Sequence, residues 1–294
     1  MATVYAMNHT EYGGNPMNTI KKPIPRSKLR LKCGMLYYGM RRKLLWITMA
    51  RRFARVRKEE PLKYLCFSHT TPLRRQLKDV DMWLQENKII NLKLATARIH
   101  EVLIRPGEVF SYWRLIGKPS RIKGYVDGMV LRNGTFHPGT GGGLCQLSNM
   151  IFWMAAHSPL TVVERHRHGY DVFPDSNRTQ PFGSGATCYY PHGDLMLRND
   201  TQNTYQILVT VGNDYLEGSL RVSAPMTEKY CIKEKNHHME PEYWGGYSRH
   251  NELYQDVYSL DGQLLESKRL VENHALMMYS PFLDAAPTSY PDEQ

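Results

Sequence analysis

The stretch from His137 to His157, HPGTGGGLCQLSNMIFWMAAH, sets a thiol beside a glycine cluster. Four of the five residues from Gly139 to Gly143 are glycine, and Cys145 follows one residue after them. A thiol attacks as its thiolate, so its surroundings decide its reactivity. A helix starting at Cys145 puts the sulfur at the positive end of the helix dipole, beside N–H groups that have no partner within the helix. Gly141, Gly142 and Gly143 can turn further N–H groups toward a bound carbonyl, where they stabilise a developing oxyanion. The Gln146 amide is one more candidate donor. The competing reading is a tight turn with a structural cysteine. A phosphate loop does not fit, because no Gly-Lys-Ser/Thr follows.

A thiol nucleophile needs a base. The run ERHRH, Glu164 to His168, offers two imidazoles. Alternation along a strand places Glu164, His166 and His168 on one face and Arg165 and Arg167 on the other. His166 is the first candidate, His168 the second, and His137, just before the glycines, the third. A histidine on a strand facing a cysteine at a helix start is the layout of papain-like sites. Arg165 and Arg167 can grip a substrate carboxylate, and Glu164 is a further candidate contact. The i, i+2 histidines could hold a metal with Glu164, but no other residues have ligand spacing. Neither a metal nor a cofactor is expected. Asn236 to His238 reads as a solvated polar loop.

The elements that must position these groups follow from periodicity. Leu92, Ala95, Ile99 and Val102 share one face of a helix over residues 87–104, ended by the Pro-Gly at 106–107. EVFSYWRLIG then reads as a strand. GMVLRNGTFHPG reads as a hairpin turned at Asn133-Gly134. A helix from about Cys145 to Ala156 would bury Leu144, Leu147, Ile151 and Met154. PLTVVERHRHGYDVF reads as a strand. Hairpins are expected around residues 212–215 and around Asp261-Gly262. This order lacks βαβ alternation, so the expected class is α+β with a mixed or antiparallel sheet.

Charge is unevenly spread. The chain of 294 residues carries a formal net charge of +10, yet residues 21–58 hold 14 Lys/Arg and no Asp or Glu. The remainder has 24 basic against 28 acidic residues, which argues against a specific nucleic-acid partner. The basic segment reads as a helix over 29–58, interrupted at Gly34 and Gly39, with Leu36, Met40, Leu44, Ile47 and Ala54 at helical spacing. It could lie on anionic lipid as a peripheral membrane contact, or dock on the core with its basic face in water. Five widely spaced cysteines without a CxxC argue for free thiols. No stretch approaches the roughly 20 apolar residues of a membrane span, and no signal peptide is evident; Met17 is an alternative start to Met1. These features point to a cytoplasmic protein, with the inner membrane surface as a possible station.

The blocks NKIINLKLATARIHEVLIRPGEVFSYWRLIG, GTGGGLCQLSNMIFW, PLTVVERHRH and LMLRNDTQNTYQILVTV occur in one order across residues 87–211. Together they resemble the VanW family. The resemblance implies a link to glycopeptide-antibiotic resistance and the cell envelope. Some proteins with a VanW domain act as L,D-transpeptidases through the cysteine of the glycine-rich motif, which aligns with Cys145. The implied partner is a peptidoglycan stem peptide or a lipid-linked precursor. Family members commonly carry an Asp where this chain has Gly185; Asp171, Asp175 or Glu164 could compensate. Three parts are expected: an arm over 1–58, a VanW-like core over 59–224, and a β-rich extension over 225–294. The expected function is cysteine-dependent acyl transfer in cell-wall metabolism. The alternative is a noncatalytic accessory that binds peptidoglycan precursors or resistance partners.

Overall fold

The computed structural model describes residues 27–74, 81–132, 134–172 and 180–279. In chain order, the elements are α1 (Lys28–Thr48), β1 (Tyr64–Pro72), α2 (Met82–Ile99), β2 (Val102–Ile104), β3 (Val109–Ser111), α3 (Tyr112–Ile116), β4 (Asp127–Arg132) and β5 (Thr135–Thr140). Then come α4 (Cys145–Ala156), β6 (Thr161–Glu164), β7 (Tyr170–Asp171), β8 (Met196–Arg198), β9 (Tyr205–Val211), β10 (Tyr215–Val222), β11 (Glu228–Pro241), β12 (Tyr247–Ser259) and β13 (Leu264–Met277). The fold is α+β and its sheets are largely antiparallel.

One sheet runs β1-β10-β9-β2, a second β11-β12-β13-β7, a third β3-β8-β6, and β4 and β5 form a hairpin. Only the β13–β7 pair within these sheets is parallel. Helix α4 packs on β1 and β10, and α2 packs on β9 and β4. Leu144, Leu147, Met150, Ile151 and Met154 of this segment are all buried. Each such side chain contributes roughly 1.5–3 kcal/mol on leaving water. Gly218 of β10 makes the close approach possible: a Cβ there would stand 2.6 Å from Met150 Sδ. The long ribbon β11–β13 is tied to the end of α4 through Gln255, whose Nε2 donates to the carbonyls of Ala156 (2.6 Å) and Ser158 (3.0 Å).

The structure corrects several sequence expectations. The helix expected over 87–104 starts earlier and stops at Ile99. Glu101 takes φ +71°, which turns the chain so that Val102 can pair with Ile207 of β9. EVFSYWRLIG is strand only over β3; the Ser111 side chain then caps the Arg114 N–H at 3.3 Å and starts α3. The strand expected through ERHRH ends at Glu164. Asn236 to His238 is no loop but part of β11, with Asn236 at a bulge, φ +54°.

Helix α1 runs without a break through Gly34 and Gly39. It buries Gly39, Arg42 and Trp46, one face at helical spacing. Gly39 meets Pro191, with a Cβ there 3.5 Å from Pro191 Cγ. Leu36, Met40, Leu44 and Ile47 are on the outside, Ile47 at 72% exposure. The helix therefore docks through an arginine and a tryptophan and leaves its apolar stripe in solvent. No helix among the described residues is long and apolar enough to cross a membrane.

Candidate active site

Three elements fix the start of α4. The glycine turn has left-handed φ angles at Gly141 (+79°) and Gly143 (+87°), which only glycine adopts freely. Gly142 needs its missing Cβ for a different reason: the atom would stand 2.2 Å from the backbone of Gly128 in β4. Asn91 of α2, fully buried, donates to the carbonyls of Val126 (3.0 Å) and Gly142 (2.9 Å) and accepts from the Val126 N–H (2.9 Å). The Tyr112 hydroxyl donates to the Leu144 carbonyl at 2.8 Å. Cys145 is thereby the first residue of α4. Among the described residues, the N–H groups of Gly143 and Leu144 have no backbone acceptor, and the Cys145 N–H is turned toward its own sulfur. That is the donor array expected at a helix start.

The Cys145 thiol is partly buried, and its Sγ lies 3.8 Å from the Cys188 carbonyl oxygen, to which it donates. Burial pushes its pKa above the ordinary thiol value; backbone hydrogen bonds at Cys188 and at Cys145 itself pull the other way but do not win. The resting group is a thiol, so attack requires a base. All five cysteines are free.

Glu164 and His166 form a pair. Glu164 Oε1 is 2.8 Å from His166 Nε2. The same oxygen takes the Arg42 guanidinium of α1 at 2.5 Å and the Asp194 N–H at 3.0 Å. Burial raises the Glu164 pKa, but the bonds to His166, Arg42 and the Asp194 amide outweigh it and hold the carboxyl below its ordinary value. An ionised carboxylate on Nε2 places the ring proton there and leaves Nδ1 as the basic nitrogen. Nδ1 faces the Tyr189 hydroxyl at 3.3 Å.

The segment Thr187–Tyr189 lies between the thiol and this imidazole. Its Thr187 N–H donates to the His166 carbonyl at 2.8 Å, its Cys188 carbonyl takes the Cys145 thiol, and its Tyr189 hydroxyl meets His166. Among the described residues, no hydrogen bond joins Cys145 directly to a histidine. His168 is held by its N–H to Thr187 Oγ1 at 3.2 Å, and burial lowers its pKa. His137 is exposed on β5, 2.9 Å from Thr135 Oγ1.

The remaining sequence candidates have structural partners. Arg165 donates to the carbonyls of Gly183 and Gly185, the latter at 2.8 Å, and to Asn273 Oδ1 at 3.1 Å, with its guanidinium 4.8 Å from the Phe152 ring centre. This fastening draws the chain out of β6 after Glu164. Arg167 stacks on Phe182 at 3.8 Å. The Gln146 amide donates to Thr71 Oγ1 and to the Pro72 carbonyl, both at 2.9 Å. Gly185 faces Asn149: a Cβ would stand 2.6 Å from Asn149 Oδ1, the atom that accepts the Ala186 N–H. Asp171 is engaged by Arg249 at 3.5 Å and Tyr279 at 2.9 Å, away from His166's partners. Asp175 is outside the described residues.

Sequence reasoning missed Arg42, Asn91 and Asp194. Asp194 is fully buried and accepts from Ser111 Oγ (2.5 Å) and from the N–H groups of Trp113 and Leu195 (both 2.9 Å). Burial raises its pKa to about 7. Asn91 left one signal, a polar residue amid the apolar run of α2. Arg42 left none, because a basic residue among fourteen carries no mark of burial.

Residues 87–221 match a family model described as "VanW like protein". The vancomycin B-type resistance protein VanW of Enterococcus faecalis (strain ATCC 700802 / V583) is 35% identical over 221 residues, covering 75% of this chain and 80% of that protein. The protein YoaR of Bacillus subtilis (strain 168) is 32% identical over 109 residues, 37% of this chain and 34% of its own length. No solved structure matches.

Proposed function

The chain belongs to the VanW family, and on that premise we propose that it is a cell-wall protein of the glycopeptide-resistance type that transfers acyl groups through Cys145. The reaction is L,D-transpeptidase-like. The Cys145 thiol gives its proton to His166 Nδ1 as its sulfur attacks a carbonyl of a peptidoglycan stem peptide. The oxyanion is received by the N–H groups of Gly143, Leu144 and Cys145 at the start of α4. The tetrahedral species collapses, and the terminal D-amino acid leaves with the imidazolium proton on its amine. An amine or water then attacks the thioester, passes a proton to His166, and frees the thiol. Glu164 holds the ring tautomer and stabilises the imidazolium, the part a carboxylate plays in other triads.

The observation that carries this reading is the shared segment Thr187–Tyr189, which touches the thiol with one residue and the Glu164-held imidazole with the next. The reading asks His166 to exchange the Tyr189 hydroxyl for the thiol when substrate arrives. It gives Glu164 the role that the missing carboxylate at Gly185 would otherwise hold. The exposed stripe of α1 amid its basic residues supports a second element of the proposal: residues 29–58 rest on the anionic inner membrane surface, where lipid-linked precursors are presented. Replacing Cys145 with Ala tests the chemistry. Muropeptide processing is expected to stop, and unchanged processing would refute the assignment.

A second reading has its own support. The thiol is bonded to a carbonyl and kept protonated by burial, as a structural cysteine would be. On that reading the protein is a noncatalytic accessory that binds wall precursors or resistance partners, and Cys145→Ala binds as tightly as the parent.

A further inference from the structure

The ribbon β11–β13 carries three histidines in one row. His238 of β11 pairs with His250 of β12, and His250 pairs with His274 of β13. Directly paired residues point to the same face of a sheet, with Cβ atoms roughly 4.5–5.5 Å apart. Glu240 and Glu272 lie two residues from His238 and His274 on that face. The row lines a cavity of 140 Å³. His250 is buried at its floor, 3% exposed, while the other two imidazoles reach solvent.

The outer hydrogen bonds orient the three rings. His274 Nε2 is 2.8 Å from Glu272 Oε1, an acceptor, so this nitrogen carries the proton and Nδ1 does not. His250 Nε2 is tied to Ser248 Oγ at 2.7 Å. The Nδ1 atoms of His250 and His274 face each other at 2.5 Å. His238 Nδ1 meets the Asn236 carbonyl at 2.8 Å, and its Nε2 faces Glu240 Oε1 at 3.2 Å. Ser248 Oγ–H can donate to His250 Nε2, so His250 Nδ1 can donate to His274 Nδ1. His238 Nε2 and Glu240 Oε1 are both ligand atoms by type, and a cation between them satisfies both.

We propose that this row is a binding site for a divalent transition-metal ion of the Zn²⁺ class, held by His238, Glu240 and His250 with His274 completing the shell. The ligand atoms of the first three already lie within 4.8 Å of one another. Tetrahedral Zn²⁺ with bonds near 2.0–2.1 Å sets its ligands roughly 3.3 Å apart. The His238–Glu240 separation of 3.2 Å meets that value; the two facing Nδ1 atoms need to part by less than 1 Å, and the His238 ring, stacked on His250 at 4.9 Å, turns about its side-chain bond to aim at the ion. Imidazole with one carboxylate selects a borderline ion over Mg²⁺ or Ca²⁺. Glu272 and Ser248 supply the outer partners that orient ligating histidines. The ion would clamp three strands of the ribbon and lies on elements separate from Cys145.

The test uses the full chain, stripped with a chelator and titrated with Zn²⁺, with Mg²⁺ in parallel and Co²⁺ as a coloured reporter. One Zn²⁺ per chain is expected, Mg²⁺ is not, and Co²⁺ should give visible bands of tetrahedral nitrogen and oxygen ligation. His274→Gln and the exposed Glu240→Gln should each weaken Zn²⁺ at least tenfold, with unchanged far-UV circular dichroism. Glu240→Gln guards against loss through misfolding, since its side chain is half exposed. No saturable Zn²⁺ binding overturns the proposal: the cluster then shares a proton instead. Equal affinity in both variants, or Co²⁺ bands of thiolate ligation, also overturns it, because the ion is then bound elsewhere.

Discussion

Glu164 Oε1 stands 2.8 Å from His166 Nε2. The contact orders the imidazole and leaves Nδ1 as the nitrogen that can take a proton. Glu164 is itself fixed by Arg42, which arrives from a helix more than a hundred residues away in sequence. The basic arm is therefore part of the candidate site.

Glu164→Gln keeps the shape and removes the charge. Acyl transfer measured as kcat/KM on a stem peptide is expected to fall roughly 10²–10⁴-fold, the range of general acid–base contributions. Arg42→Met should lower stability by roughly 1–3 kcal/mol in urea unfolding, because it deprives a largely buried carboxylate of its partner. Full activity of Glu164→Gln would remove Glu164 from the mechanism.

Asp194 makes stability depend on pH. Burial raises its pKa in the folded state from 3.8 to about 7, so the folded protein binds a proton more tightly than the unfolded chain does. Its stabilising share is full below the unfolded value and is lost as pH rises through about 7. Asp194→Asn retains an acceptor for the two N–H groups. Urea midpoints between pH 4 and 8 should decline less steeply in this variant than in the parent. Parallel slopes would contradict the account.

The glycines separate by environment. Gly142→Ala forces a Cβ to 2.2 Å from the Gly128 backbone and should lower the thermal midpoint and part α4 from the β4–β5 hairpin. Gly34→Ala has open space around it in the middle of α1 and should stabilise by roughly 0.5–1 kcal/mol. Calorimetry on the pair checks both signs.

The apolar stripe of α1 is expected to bind lipid. Replacing Leu36, Leu44 and Ile47 together with Gln should reduce co-sedimentation with anionic vesicles at least tenfold while leaving turnover of a soluble fragment intact. Equal sedimentation would sink the membrane contact.

Local signals were legible in the sequence. The helix from Cys145 to Ala156 was readable because glycines precede it and Leu147, Ile151 and Met154 repeat at helical spacing. The hairpin turns at residue 134, after Val211 and at Gly262 were readable from their turn residues. Contacts between distant segments were not. Nothing local marks Arg42 as the partner of Glu164, or Asn91 as the clasp on Gly142. The face alternation expected through His166 and His168 failed because Arg165 turns to the carbonyls of Gly183 and Gly185. The histidine row on β11–β13 depends on strand register, which brings together residues 238, 250 and 274 with no spacing that a linear pattern reveals.

The central claim is that Cys145 carries the acyl group. Incubation of the full chain with a disaccharide-tetrapeptide or its lipid-linked precursor, followed by acid quench and mass analysis of peptides, tests it most directly. The account requires a thioester on the peptide containing Cys145, with the donor lacking its terminal amino acid, and none in Cys145→Ala. Turnover without any adduct on Cys145, or an adduct that persists in Cys145→Ala, would contradict it.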